Sequence, residues 1–358
     1  KSVACLIFLL VLVAVVAGTP MLRFASVLTR HGDRTPLKIF PNTLANWNGQ
    51  LGVLTTVGEK QHYDLGQYYR KRYVDEHGLL SPYYDEKEVY LRSTNKQRTL
   101  ESAKFFAKGL YPEEYRNGKE IPIDTLELKK DKLIYAYKHC PKLDHMRKEE
   151  RKGEIWIQKE NDFKEELDEI SRILGTKVKI SDCTTILNNI NQERTHGHPH
   201  IDELVGNDKL MDFIEEHSEF TLRRKYPSRE GGKLGVGELL HHLYARMETK
   251  LLHKENDESP HFVLLSAHDS TILTLFAALD VTDYDIPHYA SHVSFELYED
   301  SETKEPYVQI LYNNNPLKIA SCSNGLCTLP QFKTLVDESS IPNFHDSHCH
   351  HELPKDEL

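Results

Sequence analysis

Residues 22–36 read Leu22-Arg23-Phe24-Ala25-Ser26-Val27-Leu28-Thr29-Arg30-His31-Gly32-Asp33-Arg34-Thr35-Pro36, an apolar run that passes straight into a histidine flanked by arginines. The run, Leu22 to Thr29, is short and strongly apolar, as a buried strand is. The segment behind it carries chemistry. Guanidiniums on either side of one imidazole make a site for a doubly charged oxyanion, and the imidazole is a nucleophile able to attack phosphorus.

The same grammar recurs along the chain. Phe262 to Ser266 reads as a second buried strand that ends in His268-Asp269, with a helix from Ser270 to about Leu279. Val89-Tyr90-Leu91 leads into Arg92-Ser93-Thr94, and a helix from about Asn95 ends near Gly109. Thr56-Val57-Gly58-Glu59 has capping-box spacing, with Thr56 at the cap of a helix that runs to about Tyr73. A further helix from Gly235 to about His253 puts Leu239, Leu240, Leu243, Met247 and Leu251 on one face. Val293 to Tyr298 and Val308 to Tyr312 read as antiparallel strands that finish the sheet.

This alternation implies an α/β fold, a central mixed, mainly parallel sheet with helices on both faces. Charge rises over residues 112–230, where helical periods appear at Phe163, Leu167, Ile170 and Leu174, and at Leu204, Leu210, Phe213 and Ile214. That stretch is expected to be a helical cap inserted between core segments 19–111 and 231–358. Ligands of such sheets bind beyond the carboxyl ends of the strands. Arg30, His31, Arg92 and His268 all fall at such ends.

The chain has 358 residues and a formal net charge of -10, which argues against a general nucleic-acid binder. A small anionic substrate fits if cations are concentrated locally. Residues 1–18 have a basic start, an apolar run from Val3 to Ala17 and small residues at the end, the pattern of a signal peptide. The run falls short of the ~20 residues of a membrane span. The chain ends Lys355-Asp356-Glu357-Leu358, a retrieval signal read by a receptor of the endoplasmic reticulum. Residence in that lumen is expected, with secretion or the lysosome as the alternative. Past the signal remain Cys140, Cys183, Cys322, Cys327 and Cys349, an odd number, so one thiol is free or pairs between chains.

Arg30, Arg34 and Arg92 would clamp phosphate, since arginine's planar fork matches its oxygens. Neutral His31 would attack in line, and the cations around it would keep it unprotonated. Asp269 would protonate the leaving alkoxide, provided a dry, phosphate-loaded pocket keeps it protonated. His268 would be a further donor to phosphoryl oxygens.

These residues carry a resemblance. Arg30-His31-Gly32-Asp33-Arg34-Thr35-Pro36 with Ser266-Ala267-His268-Asp269-Ser270-Thr271, Arg92-Ser93-Thr94, Arg98-Thr99-Leu100 and Gln61-His62-Tyr63-Asp64-Leu65-Gly66 resemble the histidine acid phosphatases, branch 2 of the histidine phosphatase superfamily. The prostatic and lysosomal group of animals is most similar, over about residue 21 to Cys349. The resemblance implies hydrolysis of small phosphomonoesters with His31 as the phosphorylated nucleophile and Asp269 as proton donor. Phosphate would be bound by Arg30, Arg34, Arg92 and His268, and no metal or other cofactor is implied. It also implies disulfides Cys140–Cys349 and Cys322–Cys327. The usual partner of Cys183 follows Tyr-Ala-Ser, whereas here Tyr289-Ala290-Ser291 is followed by His292.

Other readings stand beside these. Arg98 is expected to be structural, and His62 to be packed, one step behind the ligand, or in contact with it. His196, His198 and His200 are expected in a solvated loop, and His345, His348, His350 and His351 surround a bridged cysteine. Gly231-Gly232-Lys233 lacks the Ser/Thr of a nucleotide loop and reads as a turn into a helix. Two rival functions remain: a catalytically silent phospholigand-binding protein, and a metal-dependent phosphohydrolase that chelators would inhibit. Oligomeric state, a homodimer included, and the physiological substrate are not encoded in these motifs.

Overall fold

The computed structural model describes residues 20–226, 228–252, 258–344 and 347–350. The expected signal peptide, the C-terminal tetrapeptide, His345 and His351 lie outside the described residues.

Among the described residues eight strands form one sheet: β1 (Pro20–Arg30), β2 (Val89–Thr94), β3 (Ile123–Leu126), β4 (Phe262–Ala267), β5 (His292–Asp300), β6 (Pro306–Tyr312), β7 (Asn315–Pro316) and β8 (Leu326–Thr328). Their order is β3-β2-β4-β1-β5-β6-β7, with β8 also on β6. β3, β2, β4 and β1 run parallel, and β5 closes antiparallel on β1. The central strands are apolar on both faces, as a sheet covered on both sides requires. Val27, Phe262 and Leu264 face one apolar cluster and Leu28, Val263 and Leu265 the other. A register shift between Leu22 and Phe24 puts those two even-numbered residues on opposite faces.

The helices are α1 (Thr56–Arg70), α2 (Gln97–Leu110), α3 (Pro141–Glu150), α4 (Glu154–Asp162), α5 (Lys164–Leu174) and α6 (Cys183–His196). After them come α7 (Asp202–Val205), α8 (Asp208–Arg223), α9 (Arg229–Val236), α10 (Leu239–Leu252), α11 (Asp269–Ala278) and α12 (Leu329–Ser339). α1 and α2 cover one face of the sheet, and α10, α11 and α12 the other. α4 to α8 build their own apolar cluster, with Ile170, Leu174, Leu210 and Ile214 in it as their spacing predicts, and Phe40 entering from the core.

Four expectations are corrected. Residues 123–126 lie inside the stretch assigned to the cap, yet β3 pairs with β2 on the sheet edge. The cap at α1 is Thr55, whose side chain accepts from the Gly58 N–H, one residue before the expected position. The helix expected from Gly235 is two helices, α9 and α10, broken at Gly237 with its φ of 58°. Gly231-Gly232-Lys233 accordingly belongs to a helix rather than to a turn.

Cys140–Cys349 and Cys322–Cys327 are disulfide-bonded, as the resemblance implies, and Cys183 is a free, buried thiol. Burial pushes the Cys183 thiol up to about 12, so it stays protonated and inert.

Candidate active site

β1 and β4 are hydrogen-bonded neighbours in register, Arg30 opposite Ala267, so His31 and His268 leave the sheet side by side. Their rings stand 5.5 Å apart. The loop after β1 is held by close backbone contact with the start of α1. A Cβ on Gly32 would meet the Gly58 carbonyl oxygen at 2.5 Å, and one on Gly58 would meet the Asp33 oxygen at 2.2 Å. Gly32 is thus required for this approach.

His31 is buried, and its Nδ1 lies 2.8 Å from the Gly32 carbonyl oxygen. A carbonyl only accepts, so Nδ1 carries the proton and the Nε2 lone pair is free. Burial, and after it Arg30, Arg98, His268 and Arg34, hold the imidazole well below its usual range. Burial, more than the cations of the motif, thus favours the neutral imidazole.

Arg30 donates to the Pro287 carbonyl at 2.5 Å, lies 4.3 Å over the Tyr289 ring and stands 3.9 Å from Asp269. Arg34 donates to the Thr35 carbonyl at 2.9 Å, and burial lowers its pKa. Arg98 reaches in from the first turn of α2, with Nη2 3.5 Å from His268 Nδ1. The Nε atoms of Arg30, Arg34 and Arg98 are buried without a hydrogen-bond partner. Three such guanidiniums facing a single carboxylate are a site short of negative charge.

Arg92 does not join them. β2 continues to Thr94, so Arg92 sits inside the strand, paired with Leu265 rather than beyond the carboxyl end. Its Nη2 donates at 2.7 Å to Asp131, a carboxylate with no exposure. The structure therefore gives Arg92 a buried structural pair and puts Arg98 at the site, the reverse of the sequence reading. Tyr289 and Lys225 were also missed, and neither stands in a motif that marks it.

His268 spends Nε2 on Thr94 Oγ1 at 3.0 Å and turns Nδ1 to Arg98. In this arrangement it orients Arg98 rather than offering a free donor. Asp269 opens α11, with Oδ1 accepting from the Ser270 N–H at 2.5 Å. Burial pushes its carboxyl up, but the charges of Lys225 and then Arg30 outweigh that and hold it well below the usual range. Lys225 lies 3.9 Å away and donates to Ser270 Oγ at 2.8 Å. Those cations favour the ionised carboxylate.

His62 is fully buried, with Nε2 3.1 Å from the Arg30 carbonyl oxygen and its pKa lowered by burial to about 4. It is a neutral donor one carbonyl behind the site. His196 and His198 are half-buried rather than free in solvent: both pack on Trp47, and His196, the last residue of α6, meets Asp33 at 2.6 Å. Among the described residues no group of three or more His, Cys, Asp or Glu is arranged to hold a metal ion.

The chain is similar to known proteins along most of its length. The profile described as "Histidine phosphatase superfamily (branch 2)" matches residues 21–313. The prostatic acid phosphatase of Mus musculus is 30% identical over 338 residues, covering 88% of this chain and 86% of that protein. The lysosomal acid phosphatase of Xenopus laevis is 31% identical, covering 93% and 80%. Among solved structures, a phytase of Hafnia alvei superposes with a TM-score of 0.70 at 19% identity, covering 94% of this chain and 99% of that one. At that identity the likeness shows the fold alone.

Proposed function

This chain belongs to branch 2 of the histidine phosphatase superfamily and is a phosphoric monoester hydrolase, and from that premise we propose that it works through a phosphohistidine at His31. In the first step His31 Nε2 forms the P–N bond as the P–O bond to the alcohol breaks, and Asp269 gives its proton to the departing oxygen. In the second, water attacks phosphorus, Asp269 takes the water's proton, and the P–N bond breaks to release phosphate and neutral His31. Arg30, Arg34 and Arg98 neutralise the equatorial oxygens throughout, with His268 holding Arg98.

One observation carries this reading. The free Nε2 of His31 stands among the guanidiniums of buried Arg30 and Arg34 and half-buried Arg98, its tautomer fixed by the Gly32 carbonyl. An acid-range assay on an aryl phosphate, comparing the parent with His31→Ala and Asp269→Ala, tests it. Loss of turnover in both variants is expected; an unimpaired His31→Ala would sink it.

Lumenal residence with retrieval is proposed on the two terminal signals and supported by the two disulfides, which fit the secretory pathway. Deleting Lys355 to Leu358 should release the protein into the medium.

A further inference from the structure

If Asp269 protonates the leaving oxygen, as read above, the alcohol departs on its side. Arg30 and Asp269 there form one wall of a cleft of about 500 Å³ between cap and core. Two cap helices line it, each with one face. α6 presents Thr184, Leu187, Asn188 and Asn191, and α8 presents Glu215, Ser218, Glu219 and Leu222. Both sets follow the i, i+3, i+4, i+7 spacing of a helical stripe. The stripe on α8 lies beside the apolar one, Leu210, Phe213 and Ile214, that builds the cap's own core. The core contributes Asp285 to His288.

The fixed charge of this cleft is one-sided. Arg30 belongs to the phosphate. Arg223 is committed: its Nε donates to Glu219 at 2.7 Å and its Nη groups donate to the carbonyls of Thr282 and Tyr284 at 3.4 and 3.1 Å. Glu215 and Asp285 are exposed and, among the described residues, make no ion pair. Lys225 is bound to Ser270 and is not part of this wall. Other cations lie toward His268: Lys96 acts on it, and Lys96, Lys129, Lys132 and Lys138 act on His139. His139 and His268 share the Tyr135 ring, at 5.5 and 5.2 Å. A bound ester thus meets cations at its phosphate and uncompensated carboxylates at its alcohol.

We propose that Glu215 and Asp285 select phosphate esters whose leaving alcohol carries no further anionic group, and favour those whose alcohol is cationic. A second phosphate on the alcohol would be driven into two carboxylates within a partly enclosed cleft, where fixed charges are screened less than on open surface. A quaternary or primary ammonium there would be attracted instead.

The test is kcat/KM of the full chain at constant ionic strength and pH 5.5 for phosphocholine, β-glycerophosphate and inositol hexakisphosphate. Inositol hexakisphosphate should be at least about tenfold poorer than β-glycerophosphate, and phosphocholine at least as good. In Glu215→Lys/Asp285→Lys the ratio of inositol hexakisphosphate to β-glycerophosphate should rise about tenfold. Glu215→Gln/Asp285→Asn should move it the same way by a smaller factor, and serves if the lysine variant does not fold. Comparable turnover of all three esters, or a ratio unmoved in the folded variants, overturns the selectivity and leaves the phosphatase reading intact. Turnover of none of them overturns both.

Discussion

His196 Nε2, at the last residue of α6, lies 2.6 Å from Asp33 Oδ2, two residues beyond His31. The same Asp33 oxygen accepts from Thr55 Oγ1 at 2.5 Å, and Thr55 in turn caps α1. One buried carboxylate therefore joins the cap, the catalytic loop and the helix beneath it.

Removing that link should loosen the loop as well as the fold. His196→Ala is expected to cost about 1–3 kcal/mol of stability, because a buried acceptor loses its donor. It should also lower kcat by about tenfold through misplacement of His31. Denaturation curves and steady-state kinetics check both; unchanged kcat in a folded variant would make the contact a packing feature only.

Arg98 and Arg92 separate by assay. Arg98→Ala should lower kcat/KM by about a hundredfold or more, as removal of an oxyanion donor does. Arg92→Ala leaves Asp131 buried without its partner and should cost about 3–5 kcal/mol of stability. Below its lowered melting temperature it should keep most of its kcat/KM. A kinetic collapse in folded Arg92→Ala with a mild Arg98→Ala would reverse the assignment.

Lys225 should set the alkaline side of the pH profile. It is the largest of the charges that lower the Asp269 carboxyl, so its removal raises that pKa. The protonated donor then persists to higher pH. The alkaline limb of kcat in Lys225→Met should move upward, while the limb governed by neutral His31 stays at low pH. A downward move would show that Asp269 is not the donor.

His62 makes stability fall in acid. Its folded pKa of about 4 lies below the unfolded value of 6.5, so between them the unfolded chain binds the extra proton. Stability is therefore intact above pH ~6.5, is lost as pH falls toward ~4, and the loss levels off below that, at about 3 kcal/mol. Urea titrations across this window should show a shallower pH dependence in His62→Gln than in the parent. Equal slopes would mean that His62 titrates normally.

The strand ends that carry His31 and His268 were legible because continuous apolar runs with chemistry at their carboxyl ends have few other uses. The stop of β2 was not. Val89-Tyr90-Leu91 marks a strand, but nothing local says whether it ends before or after Arg92, and those few residues decide which arginine faces phosphate. β3 escaped because Ile-Asp-Thr-Leu is an edge strand with three of its four residues exposed, too polar to separate from loop. His196 and His198 were misread because their partners, Asp33 and Trp47, lie about 150 residues away in sequence. No local pattern encodes such a contact.

The central claim is a covalent bond between His31 and phosphorus. Rapid quenching with a ³²P-labelled monoester should trap a phosphoenzyme that is labile in acid and stable in alkali, absent in His31→Ala and accumulating in Asp269→Ala with an activated leaving group. Turnover in His31→Ala equal to the parent, or label retained in that variant, would contradict it.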